Sequence, residues 1–310
     1  GYGMEGVQID GNNLLTVYDT IKGVRDYCIR EQKPYLIECM TFRMRGHEEA
    51  SGTKYVPSHL FEEWEQKDPV KNFQRWLIDT GVLTEMKVAE IRQACKDQIE
   101  SELAIGFQAG GVFAEESVEL EDVYAKTQFE KFEKFGSLES SELRMIDAIK
   151  QGLEQSMETH SNLVLMGQDI AEYGGAFKIT EGFVEKFGKE RVRNTPLCES
   201  AIVGTALGLS LEGYKSMMEM QFADFVTCGF NQIVNNLAKM HWRWGQNADV
   251  VVRMPTGAGA AAGPFHSQSN EAWSTHTPGL KVVYPSNPFD AKGLLNASIE
   301  DPNPVLFFEH

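Results

Sequence analysis

Long apolar runs are missing from this chain of 310 residues. No stretch of about 18 consecutive apolar side chains occurs, so a membrane-spanning helix is not expected. Cysteine is scarce. The five thiols, Cys28, Cys39, Cys95, Cys198 and Cys228, are dispersed and odd in number. That argues against a disulfide framework and against a zinc cluster, and it fits a reducing, cytoplasmic setting. Positive charge is short: 29 Lys and Arg stand against 45 Asp and Glu, a formal net charge of −16. That sign repels nucleic acid and anionic membrane surfaces, so neither is an expected partner. No signal peptide, internal repeat or low-complexity tract is visible. The glycine-rich stretch Gly257-Ala-Gly-Ala-Ala-Ala-Gly263 lacks the Gly-Lys-Ser/Thr ending of a P-loop and the Rossmann spacing. Ser267 beside His266 has no Gly-x-Ser-x-Gly elbow, which argues against a serine hydrolase.

What remains is an ordinary globular composition, 42% apolar and 24% charged, in a chain long enough for two domains. The sequence opens at Gly1 within what reads as folded sequence, so an internal portion of a longer protein is expected. Asn13 to Arg30 reads as a helix and Tyr35 to Cys39 as a strand. Asp68-Pro69 is a helix entry, and Thr84 caps a helix whose apolar positions Val88, Ile91, Cys95, Ile99 and Leu103 recur at three or four residues. From Gly106 to Gly136 the pattern weakens into an acidic connector, partly helical around Tyr124 to Phe132. Beyond it, helix and strand alternate. Helices are predicted over Glu142–Thr159, Ala201–Leu211, Phe225–His241 and Asp290–Ile299. Strands are predicted over Leu163–Met166, Ser216–Met220, Val250–Arg253, Leu280–Tyr284 and Val305–Phe308, with a strand-to-loop signal over Val192–Leu197. Repeated βα units imply an α/β fold with a mostly parallel sheet covered on both faces.

Several residues invite a chemical reading, and each has a plainer one. Glu199 directly precedes a helix. It is either a first-turn glutamate facing the helix dipole or a carboxylate placed for acid–base work. Phe225 is either a core aromatic beside Phe222 and Phe230 or a flat face for a ligand ring. His266 ends a loop whose Gly257, Gly259 and Gly263 carry little bulk, so backbone can approach a ligand closely. The histidine either bonds to the loop backbone or donates to a developing negative charge. His47, beside Arg43 and Arg45, lies beyond the C-terminal end of a strand, where open α/β sheets bind ligands; its other reading is a surface loop. His276 precedes a strand and reads as structural.

Three dispersed signatures resemble one family. Thr195-Pro-Leu-Cys-Glu199, Gln221-Phe-Ala-Asp-Phe225 and the run from Gly263 to Ser286 resemble the beta half of thiamine-diphosphate-dependent 2-oxo acid dehydrogenases, the first, decarboxylating component. Glu38 to Tyr55 and Phe61-Glu-Glu-Trp-Glu-Gln-Lys-Asp-Pro69 resemble the alpha half. The resemblance implies a fused alpha/beta chain with a thiamine-diphosphate-binding fold. Residues 1–105 are the C-terminal part of the alpha-like domain, 106–140 the connector and 141–310 the beta-like pyrimidine-binding domain. It implies that Glu199 activates the cofactor at its aminopyrimidine, and that Phe225, which keeps the family's spacing of 26 residues after the glutamate, stacks on that ring with Leu197 nearby. It also implies that Arg43 lies near the cofactor, that His266 and His47 act in catalysis, and that Asp301 and Asn303 mark a monovalent cation, potassium.

The implied reaction is oxidative decarboxylation of a 2-oxo acid, with acyl transfer to the lipoyl arm of an acyltransferase partner. The branched-chain members match best in wording; pyruvate and acetoin dehydrogenases are the alternatives, as is a non-catalytic assembly module. Magnesium and the diphosphate fall to a Gly-Asp-Gly segment absent from this chain, so this portion alone is expected to be inactive and the whole to be a homo-oligomer. One departure is clear. The family's His-Ser-x-Ser-Asp is here His47-Glu-Glu-Ala-Ser51-Gly, which removes the serines that mitochondrial relatives phosphorylate.

Overall fold

A computed structural model describes residues 2–48, 50–127 and 141–310. The chain divides into two compact units, Gly1–Val112 and Phe113–His310.

The first unit opens with strand β1 (Glu5–Asp10), which the sequence pattern does not announce. Helix α1 (Leu14–Glu31) and strand β2 (Tyr35–Met40) follow, and β2 pairs in parallel with β1. Three helices complete it: α2 (Ser58–Glu65), α3 (Pro69–Asp79) and α4 (Glu85–Gln108). Their starts follow local chemistry. Asn13 accepts from Thr16 N, Asp68 from the amides of Val70 and Lys71, and Thr84 from Lys87 N. Each satisfies backbone donors that a helix start leaves unpaired. Among the described residues of this unit, Val88 is the one buried apolar side chain, at 8% exposure.

The second unit carries the main core. It begins with α5 (Glu116–Glu121), α6 (Met145–Thr159), β3 (Leu163–Gly167), α7 (Phe183–Phe187), β4 (Val192–Asn194), α8 (Glu199–Leu211) and β5 (Lys215–Glu219). A 3-10 turn, Ala223–Phe225, leads into α9 (Val226–Asn231), a π-helical turn over Gln232–Leu237 and α10 (Met240–Trp244). The chain ends with β6 (Val250–Pro255), α11 (Ala272–Thr275), β7 (Lys281–Val283), α12 (Pro288–Glu300) and β8 (Val305–Glu309). Residues 128–140, and with them most of the helix expected over Tyr124–Phe132, lie outside the described residues.

The six strands form one all-parallel sheet in the order β4-β3-β5-β6-β8-β7. Successive residues of each strand enter opposite cores. Leu163, Leu165, Met217, Val251, Val305 and Phe307 face α6 and α12, where Leu153, Met157, Leu295 and Ile299 pack. Val164, Met166, Met218, Val252, Leu306 and Phe308 face α8 and the α9 region, with Ile202, Val203, Ile233 and Leu237. Burial on both faces is why these strands read as near-continuous apolar runs. The order reverses between β3 and β5: the chain leaves β3 for β4 on one side, then returns to β5 on the other. The crevice beyond the strand ends at such a reversal is where α/β sheets bind ligands.

One expected element differs. The single helix predicted over Phe225–His241 is broken into a 3-10 turn, α9, the π turn and α10. Thr227, Gly229, Asn231, Asn235 and Asn236 are weak helix formers. Packing of Ile233 and Leu237 into the core then favours a locally wider turn, in which Ala238 N bonds to Ile233 O at 3.0 Å.

Candidate functional site

Four loops leave the C-terminal ends of β3, β4, β5 and β6 and carry the polar and aromatic groups of this crevice. After β4 the chain runs through Thr195 and Pro196 to Cys198, which precedes α8 without a side-chain cap. Glu199 is thus the first residue of a 13-residue helix, where unpaired amides favour negative charge. Its Oε1 accepts from Gln168 Nε2 at 3.0 Å. Gln168 is the residue that follows β3, and it is buried. An open depression lined by Cys198, Glu199, Ser200, Ala201, Gly204, Cys228 and Gln232 lies beside the carboxylate. Leu197 is 80% exposed.

The loop after β5 brings the aromatic residues together. Phe225 packs on the core that underlies α8. The His266 ring packs edge-to-face with Phe222 and Phe225, with centroids at 5.0 and 5.3 Å and planes nearly perpendicular. Phe177, from the loop after β3, closes on Phe222 at 5.7 Å. Edge-to-face packing of this kind fixes ring orientation without a hydrogen bond. The backbone of His266 donates to Gly263 O at 3.3 Å. Residues that sequence reasoning did not single out hold the two loops together. The buried Asp224 accepts from Gln268 N at 3.2 Å and from Gln268 Nε2 at 2.9 Å. Asn270 Nδ2 donates to Ala223 O at 2.9 Å. Thr256 Oγ1 and Gly257 N both donate to Gln268 O. Phe225 and His266 are therefore brought together, pinned by a polar network two residues beyond the histidine.

Beneath these loops lies a charged cluster inside the sheet. Arg253 on β6 is fully buried between Glu219 on β5 and Glu309 on β8. Its Nε donates to Glu309 Oε2 at 3.0 Å, and its two terminal nitrogens bond to Glu219 and Glu309. Two carboxylates share one guanidinium, so burial holds the Glu219 carboxyl above its ordinary range, while both carboxylates hold the Arg253 charge in place. A Cβ on Gly175 would come within 3.2 Å of Glu219 Oε1; only a bare backbone lets the loop after β3 close over this carboxylate.

The remaining expected residues fall in other stretches of the chain. In the first unit, His47 Nδ1 and Ser51 Oγ are 2.9 Å apart, Ser51 Oγ donates to Glu48 Oε1, and Arg43 Nε donates to the Arg45 carbonyl at 3.1 Å. These bonds tie Arg43 to Arg45, and Ser51 to His47 and Glu48. Asp301 and Asn303 are both buried and adjacent. Asp301 Oδ1 accepts from Asn303 N and Nδ2, Oδ2 accepts from Lys281 Nζ at 2.5 Å, and the Asn303 amide exchanges bonds with Ala125 N and O. Lys281 brings a positive charge to Asp301, and Asn303 ties residue 125 to this end of the sheet. His276 follows α11 and is exposed. Among the described residues no group of three or more His, Cys, Asp or Glu is placed to hold a metal. No helix among them is long and apolar enough to cross a membrane.

Residues 141–310 match the family model described as transketolase, pyrimidine binding domain, and residues 1–110 match the model described as dehydrogenase E1 component. The chain is similar to the 2-oxoisovalerate dehydrogenase subunit beta of Bacillus subtilis (strain 168), 46% identical over 172 residues, covering 55% of this chain and 53% of that protein. It is similar to the mitochondrial 2-oxoisovalerate dehydrogenase subunit beta 2 of Arabidopsis thaliana, 46% identical, covering 54% and 47%. It is also similar to the pyruvate dehydrogenase E1 component subunit beta of Acholeplasma laidlawii, 43% identical, covering 54% and 52%. The chain spans about half the length of the curated relatives it matches. A solved split gene transketolase, an inactive beta4 tetramer, aligns at 19% identity with a TM-score of 0.43, covering 52% of this chain and 49% of that one.

Proposed function

We infer that this chain, which belongs to the transketolase pyrimidine-binding domain family over residues 141–310, is part of the first, decarboxylating component of a thiamine-diphosphate-dependent 2-oxo acid dehydrogenase. The observation that carries the reading is Glu199: a carboxylate at the first turn of α8, beyond the strand-order reversal, held on one oxygen by Gln168 and bordering an open depression. A carboxylate so held fits a ring nitrogen that must be protonated and deprotonated in turn. When bound, thiamine diphosphate supplies a carbanion nucleophile and an electron sink for decarboxylation. Glu199 would hold a proton at the aminopyrimidine ring. Phe225 would offer an apolar face beside it, with Leu197, and the Phe222–His266–Phe177 cluster would exclude water. His266, with its ring nitrogens outside any hydrogen bond among the described residues, would donate to negative charge developing on the substrate. His47 and Arg43 are proposed to serve the same reaction from the dehydrogenase-like first unit.

A branched-chain 2-oxo acid is the favoured substrate, supported by the higher identity to 2-oxoisovalerate subunits than to the pyruvate subunit. Acyl transfer to a lipoyl-bearing partner, magnesium with the diphosphate held by a segment outside these residues, and a cytoplasmic setting complete the proposal. Assembly into an oligomer goes with this reading: the first unit exposes Tyr18, Ile21, Leu36, Trp76, Met86 and Ile99, side chains that an interface would cover.

The test is turnover of the intact protein with 2-oxoisovalerate and with pyruvate. Glu199→Gln should lower kcat by about 100-fold or more, as loss of a positioned proton carrier does. Comparable turnover in the variant and the parent would remove Glu199 from this role. One methylene is worth about 1–3 kcal/mol in a pocket, so kcat/KM should favour the branched substrate by roughly tenfold or more.

A further inference from the structure

We propose that Gln168 is the positioning residue of Glu199: its amide group grips one carboxylate oxygen and leaves the other turned toward the ligand. The inference rests on the reading of Glu199 above and names the side chain on which that reading depends.

Gln168 stands where β3 ends, at the strand-order reversal, and is only 6% exposed. Its Nε2 donates to Glu199 Oε1 at 3.0 Å. Cys198, the residue before α8, makes no capping bond with its side chain, and among the described residues Gln168 is the one side chain that holds the Glu199 carboxylate. The orientation of the amide is set by charge. Rotated by half a turn, it would point its carbonyl at the carboxylate, acceptor against acceptor. Glu199 as an anion therefore fixes the amide, and the amide fixes the rotamer of Glu199. Without it, a first-turn glutamate is free to turn back onto the unpaired amides of its own helix.

The far end of the same side chain points to a ligand or an ordered water. Gln168 Oε1 is buried and has no hydrogen-bond partner. Thr195 Oγ1, likewise buried and unpartnered, lies at the adjoining end of β4, where Thr195 N bonds to Gly167 O at 2.9 Å. Buried polar atoms are rarely left unpaired unless something occupies the site. Here an acceptor and a hydroxyl are both unfilled at one pair of strand ends, beside the residue assigned to bind the cofactor ring.

The choice of glutamine is also chemical. A leucine would fill the space and give no donor. A second carboxyl group in this place would donate only while protonated, because two carboxylates at hydrogen-bond distance share one proton. Glutamine donates at every pH.

The experiment compares Gln168→Leu, Gln168→Glu and Glu199→Gln in the intact protein, loaded with thiamine diphosphate and magnesium. Cofactor affinity is read by calorimetry and turnover is read as a function of pH. Gln168→Leu should weaken cofactor binding and lower kcat, each about tenfold to 100-fold, with KM for the 2-oxo acid nearly unchanged. The isosteric Gln168→Glu should come close to the parent in acid and lose both affinity and turnover relative to the parent as pH rises, a limb added to the parent's own profile. If Gln168→Leu fails to fold, that limb alone decides. Parent-like affinity and pH profile in the Gln168 variants, with turnover lost in Glu199→Gln, would overturn the positioning role and leave the reading of Glu199 intact. Parent-like turnover in Glu199→Gln would overturn both.

Discussion

Arg253 has no contact with solvent and sits between two glutamates. Its removal leaves two carboxyl groups facing each other in a dry interior. Arg253→Met should therefore cost about 3–5 kcal/mol near neutral pH. The cost should depend on pH with a definite sign. Burial raises the Glu219 carboxyl above its ordinary value of 4.5, so the folded state holds that proton more tightly than the unfolded state. The stability this contributes is complete below the ordinary value and is lost as pH rises through the raised one. The parent should lose a little stability over that window. The variant, without its guanidinium, should lose far more, and urea midpoints at acid and neutral pH measure the difference. None of this cluster was legible in the sequence. Arg253 reads as the end of an apolar strand, and its partners lie 34 and 56 residues away. Glu199, Phe225 and His266 were singled out because each sits in a short stretch whose wording is distinctive. Gln168 was missed because a glutamine after an apolar strand is an ordinary way for a strand to end.

At the scale of elements, local chemistry decided most boundaries. Asn13, Asp68 and Thr84 start helices in the structure where their short polar side chains say they should. The strands β3, β5, β6 and β8 were readable because both of their faces are buried. Less readable was β1, whose side chains are mostly exposed, and the stretch from Phe225 to His241. There the pull of the core on Ile233 and Leu237 sets the turn width, which a helical period does not encode. Two glycines in the second unit give a paired prediction. Gly279 has φ +90°, and a Cβ there would lie 1.9 Å from the Ala238 carbonyl oxygen. Gly263 has φ +79° with nothing within 4 Å. Gly263→Ala should cost only the backbone strain, about 1–3 kcal/mol. Gly279→Ala adds a clash with main chain that has no rotamer to escape through, so its loss should exceed about 3 kcal/mol and displace α10 from the core. Denaturation midpoints for the two variants check this, and equal losses would contradict the packing described for Gly279.

On the scale of the whole molecule, the second unit has a two-sided core and a crevice at its strand-order reversal, while the first has little core of its own. Composition forecast this class of protein but not the difference between the units, because apolar content is spread along the chain and says nothing about which side chains find partners. The central claim is that the crevice takes the pyrimidine side of thiamine diphosphate, with Glu199 as its acid–base group. Calorimetric titration of the intact protein with thiamine diphosphate and magnesium, parent beside Glu199→Gln, tests it most directly. Saturable binding by the parent, weakened about tenfold or more in the variant, is the predicted result. No binding by the parent, or equal affinity in the two proteins, would contradict the assignment.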